Sequence, residues 1–178
     1  MSFWTSPNVT PKLKDRFIVK IAGNLNIFVT SVDKPTLTFD NKEYKMINHH
    51  FKYPGLPKWN SIKISFVDMN GEGDNDDAAK YLLDLASGGG YQNPTGTETS
   101  SKIKSIEALN EVQIQQISTS ASGGKIKVVE EWKLINPIIK SISWGSLSYG
   151  DEGLVEYTLE LDYDYAEHSA GHNIQGSS

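Results

Sequence analysis

Val155-Glu156-Tyr157-Thr158-Leu159-Glu160-Leu161-Asp162-Tyr163-Asp164-Tyr165 alternates without a break, apolar on odd positions and polar or acidic on even ones. A period of two is the signature of a strand with one buried and one wet face. Ordinary strands run about five to six residues, so this stretch requires a long sheet beside it. The residues before it supply candidates. Trp132 and Leu134 lead into Pro137, and Ile138-Ile139-Lys140-Ser141-Ile142-Ser143-Trp144 follows as a β-rich run. Gly145 to Gly153 turns that run into the long strand, giving a final antiparallel hairpin.

Working back to the start, residues 1–14 read as an arm in which Pro7 and Pro11 block regular structure. The arm carries two aromatic residues, Phe3 and Trp4. Arg16 to Ile21 is a first strand, Ile27 to Val32 a second, and Leu37 with Phe39 a third, short one. Asn41 to Asn60 holds Tyr44, Met46, Phe51, Tyr53, Pro54 and Trp59. That is too aromatic for a solvated loop and too broken for one strand. It either folds back on its own core or packs on another chain. Ser61 to Phe66 is a clean strand. A helix capped at about Asp76 then runs through Ala78, Leu82 and Leu85 and stops at Gly88-Gly89-Gly90. Ser101 to Leu109 has the spacing of a second, short helix. Glu111 to Ser118 and Lys125 to Leu134 are strands joined around Ser120 to Gly124. Residues 167–178 read as a polar, flexible tail, which leaves 15–166 as the folded domain. The predicted class is mainly β (α+β): an antiparallel β-sandwich or barrel with one flanking helix.

The chain has 178 residues, no cysteine and a formal charge of −5. Without cysteine there is no disulfide, thiolate metal site or cysteine nucleophile. An acidic balance argues against a general DNA-binding surface, which needs a basic stripe. No basic start with an apolar run marks a signal peptide, and no stretch approaches a spanning helix, so a soluble cytoplasmic product without membrane insertion is expected.

Chemical sites are weak. Asp68-x-Asn70-x-Glu72-Gly73 opens like a calcium loop, but the position of its bidentate glutamate is Ala79. An acidic loop and helix cap explains it better. His49 and His50 are neighbours, so on a strand they face opposite ways. His168 and His172 lie in the polar tail. No nucleophile–histidine arrangement is evident, and the carboxylates Glu156, Glu160, Asp162 and Asp164 lack aromatic sugar platforms among them. The reading is non-enzymatic, without cofactor or metal.

The run Glu131-Trp132-x-Leu134-x-x-Pro137-x-Ile139-x-Ser141-x-x-Trp144-Gly145-x-Leu147-x-Tyr149, with Leu154-Val155-Glu156 and Leu161-Asp162-Tyr163-Asp164, resembles tail tube proteins of contractile-tailed bacteriophages. So does Tyr44-x-x-Ile47-Asn48-His49-x-Phe51-x-Tyr53-Pro54-Gly55 followed by Trp59-Asn60. The likeness covers about Lys12 to Ala166. It implies a structural virion protein whose six copies close into a ring, the rings stacking into a hollow tube inside a contractile sheath. Tubes of type VI secretion systems share that architecture. Implied partners are copies of itself, tail sheath, baseplate and tube-initiator proteins, and phage DNA that passes without specific binding. The implied location is the virion tail, after assembly in the host cytoplasm.

On this reading Glu156, Glu160, Asp162 and Asp164 are candidate lumen residues. Six copies would together carry about −30, a field repelling DNA phosphates. Phe3, Trp4, Tyr44, Met46, Phe51, Tyr53, Pro54 and Trp59 are candidate contacts to the adjacent subunit or the next ring. A baseplate initiator or secretion tube protein of the same fold is the near alternative, and a β-sandwich ligand-binding module the distant one.

Overall fold

The computed structural model describes residues 12–26, 28–68, 77–92, 94, 96, 99–119, 126–150 and 152–170. Two antiparallel sheets pack face to face. One holds β1 (Phe17–Ile21), β2 (Asn24–Asn26), β9 (Val112–Thr119), β10 (Ile126–Ile135) and β13 (Tyr165–Ala170), in the order β13-β10-β9-β1-β2. The other holds β3 (Val29–Val32), β8 (Ile62–Val67), β11 (Ile138–Ser143) and β12 (Glu156–Asp162), in the order β11-β12-β8-β3. We call them the five-stranded and four-stranded sheets. Two further ribbons pair β4 (Leu37–Phe39) with β7 (Pro57–Trp59), and β5 (Lys42–Met46) with β6 (His49–Tyr53).

Between the sheets, alternate side chains interdigitate as binary patterning requires. Ile62, Ile64 and Phe66 of β8 lie beside Leu161, Leu159 and Tyr157 of β12, and Val19 and Ile21 of β1 face them with Val112, Ile114 and Leu134. Two helices close the core, the flanking helix and the second, short one expected over Ser101 to Leu109. In α1 (Ala78–Gly88), Ala78, Leu82 and Leu85 turn inward, with Asp77 capping through Lys80 N at 3.0 Å. In α2 (Lys102–Leu109), capped by Ser101, Leu109 is buried. The glycine stop is real: α1 ends at Gly88 and Gly89 caps it.

The predicted eleven-residue strand is corrected. The ribbon does run on, but it bends at Tyr163-Asp164 and changes sheets. The β12 half pairs with β11 and β8, and the β13 half pairs with β10. Its partner bends at the same level, β10 passing into β11 through Asn136-Pro137. Ile135 pairs with Tyr165 on one side of the corner and Ile138 with Asp162 on the other, so 130–143 and 158–170 form one antiparallel ribbon folded over the edge of the sandwich. Sandwich corners are made by strands that switch sheets in this way. Asp164 fastens the corner: its amide donates to Ile135 O at 3.1 Å, and its carboxylate accepts from Asn136 Nδ2 at 2.8 Å and from Lys102 Nζ at 2.8 and 2.9 Å. Tyr165 is exposed as a result, and residues 167–170, read as tail, form strand beside β10.

The second expected strand, Ile27 to Val32, is shorter, and the residues before it form a strand of their own. Asn24–Asn26 pairs back on β1, and Val29–Val32 leaves for the other sheet.

Candidate functional site

A second long ribbon carries the exposed chemistry. Val32 pairs with Ile64, Leu37 with Trp59, Phe39 with Pro57, Lys42 with Tyr53 and Met46 with His49. Backbone bonds bridge the gaps: Asp33 N to Lys63 O at 2.9 Å, Asn60 N to Thr36 O at 3.0 Å, and Asp40 N to Leu56 O at 3.4 Å. Residues 29–67 therefore form one antiparallel ribbon, rooted in the four-stranded sheet and tipped by the β5–β6 hairpin. The ladder is interrupted beside Asp40 and Gly55, where the β4–β7 and β5–β6 pairings meet. A Cβ on Gly55 would fall 1.5 Å from Asp40 O, so only glycine allows this crossing.

Every residue of β5 and β6 is exposed. The register puts Lys42, Tyr44 and Met46 opposite Tyr53, Phe51 and His49 on one face, and Glu43 and Lys45 opposite Lys52 and His50 on the other. Glu43 lies 3.5 Å from His50 Nδ1 and 3.7 Å from Lys52 Nζ. The hairpin is amphipathic with an uncovered aromatic face. At its tip Ile47 is 96% exposed and sits at φ 48°, a left-handed conformation that β-branched residues rarely hold. Of the candidate contact residues, Tyr44, Met46, Phe51, Tyr53 and Pro54 are exposed, and Ile47 is exposed beside them. Trp59 differs from that group. It is half-buried against the core, its ring 6.1 Å from that of Tyr163. Phe3 and Trp4 lie outside the described residues.

A second uncovered apolar segment was read only as a turn. The β11–β12 connection exposes Trp144, Leu147, Tyr149 and Leu154, with Leu147 at 85% and Tyr149 fully exposed. It lies at the end of the four-stranded sheet where Glu156 pairs with Val67; the hairpin ribbon leaves the other end, where Ile62 pairs with Leu161. Two apolar residues in a Gly/Ser-rich loop were the available signal.

The outer face of the four-stranded sheet is hydroxylic as much as acidic. One row runs Ser31, Ser65, Thr158, Ser143 across all four strands, and the next places Lys63 and Ser141 either side of Glu160. Glu160 accepts from Lys140 Nζ at 2.8 Å, Ser61 Oγ at 2.8 Å and Ser141 Oγ at 3.3 Å. The Lys140 ammonium and Ser61 hydroxyl hold its carboxyl down at about 2. Glu156 and Asp162 share this face, whereas Asp164 belongs to the corner, its carboxyl lowered by Lys102 and Asn136. The four candidates are thus three on one face and one elsewhere, with Lys63 and Lys140 set among them.

One carboxylate was missed altogether. Glu130, nearly buried, accepts from Lys12 Nζ, from Lys34 Nζ at 2.8 Å and from Trp132 Nε1 at 2.7 Å, at a cleft of about 560 Å³ between the sheets. Lys12 and Lys34 pull its carboxyl down to about 2.

Asp68 instead receives Tyr157 Oη at 2.8 Å, and the rest of the calcium-like loop lies outside the described residues. His49 and His50 do face opposite ways, and His168 stacks 4.8 Å from Trp132. Among the described residues no three His, Asp or Glu side chains converge on a metal-sized site.

No family model and no curated protein sequence matches the chain. Solved structures do match in fold. A chain of the PVC sheath–tube complex, an extracellular contractile injection system in the extended state, aligns with a TM-score of 0.60 at 19% identity, covering 90% of this chain and 92% of the other. A chain of the PVC sheath/tube terminator gives 0.62 at 18%, covering 92% and 99%. A chain of the anti-feeding prophage baseplate, 6-fold symmetrised, gives 0.60 at 15%, covering 91% and 97%. Nearly the whole of each chain takes part in the alignment, so the likeness is one of overall fold. This chain has the β-rich fold of tube-type proteins in contractile injection systems.

Proposed function

We propose that the chain is the repeating subunit of the inner tube of a contractile tail, six copies closing into each ring and rings stacking into a conduit. The observation that carries this is the pairing of a shared tube-type fold with two apolar projections left uncovered by the chain itself. A solitary protein rarely exposes such surface without a use for it. Open sheet edges at β11, β3 and β13 give neighbouring copies further places to join. Six-fold symmetry belongs to one of the assemblies whose chain shares this fold.

A terminating cap or initiator of the same fold is the near alternative. Capping elements end a stack by presenting a polar outer face. Here both projections are apolar, which favours a subunit that continues the stack at each end. The reading is structural rather than catalytic, and it is supported by carboxylates such as Glu130, Glu160 and Asp164 being paired with lysines.

We assign the outer face of the four-stranded sheet to the bore. Its hydroxyl row and compensated charges make a wetted wall with a small negative excess from Glu156, Glu160 and Asp162 over Lys63 and Lys140. A wall without a cationic stripe gives a polyanion no counterions to release and so does not grip it. That suits ejection of phage DNA, with the virion tail as the location and sheath and baseplate proteins as neighbours. Negative-stain microscopy of the purified full chain at rising concentration tests the reading. Hollow tubes or six-fold rings are expected, and a single-copy species at every concentration would overturn it.

A further inference from the structure

The ribbon of residues 29–67 leaves the body across a joint. Its ladder is interrupted between Val32 and Leu37 on one strand and between Trp59 and Ile62 on the other. Asp33 N to Lys63 O and Asn60 N to Thr36 O bridge the gap, but a two-stranded ribbon twists easily and is marginally stable by itself. Side chains on both strands of the joint reach back to the body. Lys34 Nζ crosses to the five-stranded sheet, donating to Glu130 Oε1 at 2.8 Å and to Gln116 Oε1 at 3.0 Å. Ser61 Oγ donates to Glu160 Oε1 of β12 at 2.8 Å and accepts from Lys140 Nζ of β11 at 3.0 Å. Trp59, half-buried, sets its ring 6.1 Å from that of Tyr163 at the corner.

We infer that Lys34, Ser61 and Trp59 form a three-point mount that fixes the angle of the ribbon before any partner is met, with Glu130, Glu160 and Tyr163 as its seats. The seats lie on β10, on β12 and at the corner. Three separate seats resist motion about more than one axis, where a single tie would leave a pivot. The Glu130 seat is well made: its side chain is nearly buried, so its bond to Lys34 is screened less than an open surface pair. Trp132 Nε1, at 2.7 Å, and Lys12 fix that carboxylate in turn. A projection held at one angle loses less freedom on association than one that swings, which strengthens binding without a new contact. The mount goes beyond the tube reading and holds whatever the tip meets.

The chain has no cysteine, so two dyes can be placed cleanly at Ile47→Cys on the tip and Ile103→Cys on α2, both exposed positions. Single-molecule energy transfer on the full chain, diluted until copies do not meet, then reads the tip-to-body distance and its spread. One narrow distribution is expected of the parent. Lys34→Gln and Ser61→Ala should each widen it, and the two together should widen it about twofold. Neither residue is buried, so these variants should keep the fold, which circular dichroism checks. Glu111→Gln is the control: it removes the 2.7 Å pair with Lys133 elsewhere on the five-stranded sheet and should leave the spread unchanged. A broad parent distribution, an unaltered spread in the double variant, or equal widening in Glu111→Gln would overturn the mount. The measurement is made on single copies, so its outcome stands apart from whether rings form.

Discussion

Gly55 and Ile47 show what single residues do in this molecule. At Gly55 the ribbon crosses itself so closely that any side chain would strike Asp40 O. Gly55→Ala should force the strands apart beyond Phe39 and Pro57, costing about 1–3 kcal/mol locally. Hydrogen exchange should quicken at Asp40 to Lys58 while β8 and β12 stay protected. Ile47 behaves oppositely. Glycine tolerates its φ of 48°, so Ile47→Gly should raise or maintain thermal stability, by about 1 kcal/mol at most, yet shorten tubes. Calorimetry and microscopy on one sample separate the two effects. Neither residue announced its geometry in the sequence. That Gly55 is required by a strand fifteen residues earlier could be seen only once the pairing was known. Ile47 occupies a place where a hairpin turn ordinarily puts glycine or asparagine.

At the scale of elements, the alternation in Ile62 to Phe66 and Tyr157 to Leu161 named the central strands because burial on one face and solvent on the other leave that pattern. The corner at Tyr163-Asp164 was invisible for the same reason: Tyr163 and Tyr165 extend the alternation while the chain changes sheets. The clue lay in the opposite strand, where Asn136 takes φ 54° beside Pro137. Asp164→Asn keeps the size and removes the charge, and should lower stability by about 1 kcal/mol through weaker bonds to Lys102 and Asn136. Glu130 also hid, since Val128-Val129-Glu130-Glu131 reads as a strand edge whose acids face water. Its carboxyl is depressed to about 2 from an ordinary 4.5, so its contribution is complete above about pH 4.5 and fades as the pH falls toward 2. Glu130→Gln should cost about 1–3 kcal/mol at pH 7 and flatten the acid limb of stability between pH 5 and 2, followed by denaturant midpoint against pH.

As a whole molecule, the chain is two folded ribbons sharing the β8–β12 pairing, and its surface is unfinished at both ends of the four-stranded sheet. Composition showed that the aromatic excursion needed covering, by its own core or by another chain. It did not reveal the second exposed apolar segment, because Leu147 and Tyr149 are too few to change the character of a Gly/Ser loop.

The ribbon from Val29 to Val67 has a mechanical corollary. In the tube proposed above, thrust from a shortening sheath would run through each copy along the strands of this ribbon. Force in that direction shears a row of backbone bonds together, where a sideways pull would peel them one by one. A long antiparallel lever rooted in the central sheet is therefore suited to transmitting thrust, and it should yield first where its ladder is interrupted, at Gly55 and Asp40.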